Sequence, residues 1–106
     1  MIEVHLAYDV KPDIDEQAYF EWMKKEIVGL FKRQRAVEVR AYHNTKESPG
    51  VLVVALLEKQ EEWMKFSQSE EWHSLLNTLR SIFATNLRIE DWEPSPFIPT
   101  PLRSHK

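Results

Sequence analysis

Residues able to handle protons or hold anions recur at alternating positions in separate stretches of this chain. His5 lies in "IEVHLAYDV", Arg40 and Tyr42 in "AVEVRAYHN", and Arg88 in "TNLRIEDWE". Imidazole is the usual physiological proton acceptor, so His5 is a candidate general base. A guanidinium presents a fork of donors suited to a carboxylate or enolate oxygen, the role Arg40 would take. Tyr42 would supply a polar hydroxyl to the same wall, making His5, Arg40 and Tyr42 the candidate catalytic set. The same positions also admit a purely structural reading. Glu3, Glu38 and Glu90 alternate with Arg40 and Arg88, and such residues can satisfy one another as cross-strand ion pairs that fix register.

A second group lies on a helical period. In "SEEWHSLLNTLR", His73, Asn77 and Arg80 follow one another at i, i+4 and i+7 beside an apolar stripe. Trp63, His73, Asn77 and Arg88 are therefore candidates for the rim of a ligand pocket, although a histidine flanking an apolar stripe is commonly just solvated. No metal site is expected. His5, His43, His73 and His105 are scattered without short ligand spacing, and there is no cysteine. No Ser-His-Asp order or paired-carboxylate signature is present, so any chemistry must come from substrate reactivity and pocket shape.

The elements that carry these residues follow from hydrophobic period. "IEVHLAYDV" alternates, with Ile2, Val4, Leu6 and Tyr8 on one face and Glu3, His5, Ala7 and Asp9 on the other, which predicts a half-buried strand. From Asp13 the period becomes helical. "DIDE" resembles a capping box, and Tyr19, Phe20, Met23, Ile27, Leu30 and Phe31 share one stripe as far as about Lys32. "AVEVRAYHN" and the almost continuously apolar "VLVVALLEK" flank the turn-forming "TKESPG" and predict an antiparallel hairpin. A short helix in "QEEWMKFSQ" precedes a second one capped at Ser67 or Ser69, with Trp72, Leu75, Leu76, Leu79 and Phe83 on its stripe. "TNLRIEDWE" alternates again. Trp92 closes it, placed to pack on the tail or on a partner subunit.

Composition restricts the class. With 106 residues, 42% hydrophobic and 29% charged, and only two glycines, one domain of long regular elements is expected. Residues 1–93 form the domain; residues 94–106, with four of the six prolines, form an extended tail. The absence of cysteine, of a signal-like N-terminus and of any long apolar run fits a cytoplasmic protein with no membrane partner. Net charge is −3, and the one dense basic cluster, Lys32 to Arg35, suits a helix C-terminus better than nucleic acid.

The order strand, helix, strand, strand, broken helix, strand is the βαββαβ arrangement. It predicts an α+β, ferredoxin-like fold, a four-stranded antiparallel sheet with helices on one face. The other face would be mixed, including Val51, Val53 and Ala55, and so large an apolar patch calls for a cover. RNA-recognition domains of this topology stack bases on aromatics of the third strand, and "VLVVALLEK" has none. The element order, together with "VLVVALLEKQEEWMKFSQSEEWHSLL", resembles the dimeric α+β barrel superfamily, and within it small proteins of the antibiotic-biosynthesis-monooxygenase type. That resemblance implies a homodimer through the open sheet face and a small-molecule pocket in each half. It further implies a cofactor-free monooxygenase or isomerase acting on an aromatic or polyketide-like compound, a non-catalytic ligand-binding or interaction dimer, or a heme-binding protein. In the heme-degrading relatives a helical histidine binds iron, a role that would fall to His73. Their first-strand asparagine has no counterpart here, and no bound cofactor is expected.

Overall fold

The computed structural model describes residues 1–97. The predicted element order is observed. β1 (Ile2–Val10) leads to a long helical segment made of α1 (Glu16–Trp22), a π-helical stretch (Met23–Val28) and α2 (Gly29–Arg33). β2 (Glu38–His43) and β3 (Val51–Leu57) form the hairpin. α3 (Gln60–Phe66), α4 (Glu70–Thr78) and a π-helical turn (Leu79–Phe83) then precede β4 (Ala84–Trp92). The sheet order is β2-β3-β1-β4 and every pairing is antiparallel, which is the ferredoxin-like α+β fold. Of the expected tail, residues 98–106 lie outside the described residues.

The helical segment starts later than the capping-box pattern suggests. Asp15, not Asp13, is the N-cap, and its carboxylate accepts the Gln17 N–H at 3.2 Å. Asp15 has the extended backbone, φ −65° and ψ 115°, that an N-cap requires. At the other end Arg35 has φ 60°. Its N–H donates to the Lys32 carbonyl and the Ala36 N–H to the Phe31 carbonyl, both at 3.0 Å. This is a Schellman closure with arginine where glycine is usual. The basic cluster therefore terminates a helix, as its charge against the dipole suggested. α4 starts at Ser69, whose hydroxyl accepts the Trp72 N–H.

Register decides which residues face the helices. Val4 pairs with Ala55, Leu6 with Val53 and Tyr8 with Val51. Directly paired residues share a face, so Val51, Val53 and Ala55 belong to the core. The expectation that they lie on the open face is corrected: β3 is apolar on both sides, and its open side carries Leu52, Val54 and Leu56. Ile2, Val4, Leu6 and Tyr8 are 0–1% exposed beneath Ile27, Leu30, Phe31, Leu76 and Leu79. At one end of the helix layer Phe31, Trp63, Phe66 and Trp72 form an aromatic cluster, with Trp63 and Trp72 edge to face at 5.0 Å. At the other end Tyr8, Tyr19, Trp22 and Phe83 form another.

Asp9 ties the ends of three strands together. Register against β4 shifts between Ala7 and Asp9. The Asp9 carboxylate accepts the Ser48 hydroxyl at 2.5 Å, the Asn86 amide at 3.2 Å and the Gly50 N–H at 2.8 Å. These donors, the Ser48 hydroxyl foremost, hold its pKa below the ordinary carboxylate value. Because the folded value lies below the unfolded one, the carboxylate stabilises the fold fully above about pH 4. That contribution is lost as pH falls through the depressed folded value. Asp9→Asn is therefore expected to be less stable than the parent at pH 7, and to lose less further stability between pH 5 and acid. Urea midpoints compared at the two pH values test this; equal acid losses in both proteins would remove Asp9 from the account.

Candidate functional site

The open sheet face presents a lattice of three rows, read across β2, β3, β1 and β4. Glu38, Leu56, Glu3 and Trp92 form the first, Arg40, Val54, His5 and Glu90 the second, and Tyr42, Leu52, Ala7 and Arg88 the third. His5 and Arg40 therefore share a row, one strand apart, with Tyr42 in the next. The polar groups at the margins satisfy one another. His5 Nε2 is 2.8 Å from Glu3 Oε1. Arg40 Nε donates to Glu38 at 2.6 Å, and its Nη1 meets the Tyr42 hydroxyl at 3.5 Å. The His5 ring lies 6.2 Å from the half-exposed Trp92 ring. Leu52, Val54, Leu56 and Ala7 make an apolar spine between these polar edges.

A concavity lined by apolar and aromatic side chains lies elsewhere, on the helix side of the sheet at the β2 edge. It is a cleft of about 540 Å³. The turn after β1 contributes Val10, Lys11, Pro12 and Ile14, and the helical segment contributes Glu16, Tyr19, Phe20 and Met23. Ala41, Tyr42, His43 and Val51 close the sheet side. The cleft exists because the helix layer covers β3, β1 and β4 but leaves the edge strand bare: Ala41 and His43 are exposed although their register places them on the core side. Phe20, on the predicted core stripe, is 46% exposed for the same reason. Of the candidate catalytic residues, only Tyr42 borders this cleft.

Two buried hydroxyls meet beneath its wall. Tyr8 is fully buried and Tyr19 nearly so, and their oxygens are 2.5 Å apart. Burial, then the hydrogen bond to Tyr19, pushes the Tyr8 pKa far above the ordinary tyrosine value. Burial also raises that of Tyr19, against the opposing effect of the Tyr8 bond. Both phenols stay neutral in the folded protein at physiological pH. Sequence reasoning put both residues on apolar stripes and did not pair them. The signal was present: two tyrosines on core stripes each carry a hydroxyl that must find a partner.

The candidate rim residues are not gathered at one place. Trp63 is 2% exposed within the aromatic cluster, and it also borders a smaller cleft with Gln34, Arg35, Leu57 and Lys59. His73 and Asn77 are exposed on α4, and the Asn77 carbonyl accepts the Ser81 hydroxyl. Arg88 is exposed on the open face of β4. Among the described residues no three histidine, aspartate or glutamate side chains are grouped to hold a metal ion, and no helix is long and apolar enough to cross a membrane.

No family model and no curated protein matches the sequence. Solved structures match it over most of its length. A candidate antibiotic biosynthesis monooxygenase from Deinococcus radiodurans aligns over 100% of both chains, with a TM-score of 0.67 and 9% identity. An Arabidopsis thaliana protein gives a TM-score of 0.69 at 10% identity, covering 90% of this chain and 96% of its own. A dimeric ferredoxin-like protein from Thermobifida fusca gives 0.63 at 6% identity, covering 86% and 88%. The fold is the ferredoxin-like fold of the antibiotic-biosynthesis-monooxygenase-like proteins. At these identities the likeness is one of architecture, and activity must be argued from the cleft and the open face.

Proposed function

We propose that this chain is a small-molecule-pocket protein of the dimeric α+β barrel type, working as a homodimer through its open sheet face. The observation that carries the reading is the cleft between the helical segment and the β2 edge. Its volume falls in the range of small-ligand sites, and its lining combines apolar and aromatic walls with a few polar groups, the usual character of such sites. Phe20, Met23, Ile14 and Val51 favour a flat, largely apolar compound, aromatic or polyketide-like, and His43 supplies a polar contact. The reaction class is a cofactor-free monooxygenation or an isomerisation. Either begins with loss of a proton from a C–H or O–H bond made acidic by the substrate itself, a step that needs only a base and a hydrogen-bond donor. Isomerisation then returns the proton elsewhere, whereas monooxygenation takes dioxygen as its oxidant, one oxygen atom entering the substrate and the other leaving as water. His43 lines the cleft itself, while His5, Arg40 and the Tyr42 hydroxyl line the space between the two sheets of the dimer.

Two features support the dimer: the apolar spine with polar margins, which is the anatomy of a protein interface, and the dimeric state of the Thermobifida fusca protein. Nothing in the placement of exposed His73 favours heme.

Filling the cleft tests the site. Ala41→Trp is expected to reduce binding of 8-anilinonaphthalene-1-sulfonate at least tenfold, while His5→Ala and Arg40→Ala retain it. Loss of binding in the His5 and Arg40 variants alone would move the site to the sheet face, and no binding to the parent protein would overturn the cleft reading.

A further inference from the structure

The paired phenols give the cleft a chemical preference. The Tyr8 hydroxyl is fully buried, and its partner among the described residues is the Tyr19 oxygen, 2.5 Å away. One proton lies between the two oxygens, and its owner decides what the cleft sees. If Tyr19 donated to Tyr8, the Tyr8 proton would be left without an acceptor in the core, the more costly kind of orphan. If Tyr8 donates to Tyr19, the proton left over is that of Tyr19, which a ligand oxygen in the cleft can accept, whereas nothing among the described residues in the core around Tyr8 can accept the other. The second arrangement leaves the Tyr19 proton free, and Tyr19 lines the cleft. Burial keeps both phenols neutral, so this proton persists at physiological pH.

We propose that Tyr19 is the hydrogen-bond donor through which the cleft recognises a carbonyl or enolate oxygen of a flat apolar ligand, with Tyr8 as the positioning residue that directs its proton. The proposal rests on the cleft reading above and adds the functional group the ligand must carry. Rotation of the Tyr19 hydroxyl is restricted, because one side of its oxygen is already occupied by the Tyr8 proton. Phe20 and Met23, on the same helical segment, supply the apolar walls that would flank the ligand ring.

Two probes of matched shape separate the outcomes: 2-acetylnaphthalene, which carries a ketone oxygen, and 2-ethylnaphthalene, which does not. Simple apolar partition favours the hydrocarbon, so a preference for the ketone reports a donor. Equilibrium dialysis of the full chain is expected to show the ketone bound about threefold to tenfold more tightly, the range of one net hydrogen bond. Tyr19→Phe is expected to abolish the preference while retaining 2-ethylnaphthalene. Tyr8→Phe is expected to weaken the preference without abolishing it, because the donor remains and only its direction is lost. Tyr19→Phe strands the Tyr8 hydroxyl, so the double variant Tyr8→Phe/Tyr19→Phe, which leaves no orphan, gives the same readout should the single variant fold poorly. A ketone preference that survives in both Tyr19 variants, or equal binding of the two probes to the parent, would overturn the assignment and leave the cleft intact. Failure of both probes to bind the parent would overturn the cleft reading with it.

Discussion

Val54→Asp is expected to convert the proposed dimer into folded monomers at micromolar concentration. Val54 sits at the centre of the open face, in the row between Arg40 and His5. In an isolated protomer an aspartate there stays in water beside a guanidinium and an imidazole, so the fold should survive. In a face-to-face dimer the same carboxylate would be enclosed against the partner's apolar spine. Desolvating an ion costs several kcal/mol unless it is fully paired, and Arg40 is already engaged by Glu38 at 2.6 Å. A loss of at least a hundredfold in dimer affinity follows, since each 1.4 kcal/mol is tenfold. Sedimentation velocity of parent and variant measures it, with far-UV circular dichroism confirming the fold. A parent that sediments as a monomer, or a variant that stays dimeric, would show that this face is not the interface. Conservative Val54→Ile should leave the assembly intact, which separates burial of charge from mere change at the site.

The choice of Val54 shows where sequence reasoning reaches and where it stops. Alternation in "IEVHLAYDV" fixed the face of each β1 residue without any structure, because polar and apolar residues mark the two sides. "VLVVALLEK" carries no such mark. Its period of two has no phase, so placing Val51, Val53 and Ala55 on the open side was as consistent with its pattern as the reverse. Only pairing with β1 decides it, and pairing is a long-range fact. Likewise both Asp13 and Asp15 have capping chemistry, and the choice between them depends on backbone angles rather than residue type.

The cleft was harder to read for a related reason. Its walls come from Pro12, Tyr19, Met23, Ala41 and Val51, which individually read as loop or core, and it exists because the helix layer stops short of the edge strand. The polar residues that attract notice, His5, Arg40 and Arg88, are legible because strand alternation displays them. Display is not convergence: they sit in the extended lattice of the sheet face, and the paired hydroxyls that face inward were hidden among the apolar stripes.

Trp63→Ala is expected to be the most damaging single truncation, costing about 3–5 kcal/mol. The indole is 2% exposed and contacts Phe31, Phe66 and Trp72 at centroid distances of 5.0–5.8 Å. It thereby joins α2, α3 and α4, three elements that otherwise meet through few regular bonds. Removing it opens a cavity beneath a seven-residue helix that has no side-chain cap of its own. A domain of this size is stable by roughly 5–15 kcal/mol, so the loss would consume much of the margin and lower Tm by on the order of 10–25 °C. Trp63→Phe should behave differently. The indole Nε1 is buried without a hydrogen-bond partner among the described residues, and an unsatisfied buried donor itself costs about 1–3 kcal/mol. Phenylalanine keeps most of the ring packing and removes that donor, so the two effects offset and the net loss should stay near 1 kcal/mol or below. Urea denaturation of the three proteins at neutral pH decides the matter. If Trp63→Phe falls as far as Trp63→Ala, the indole nitrogen has an acceptor, and its bond rather than its ring volume holds α3 to the core.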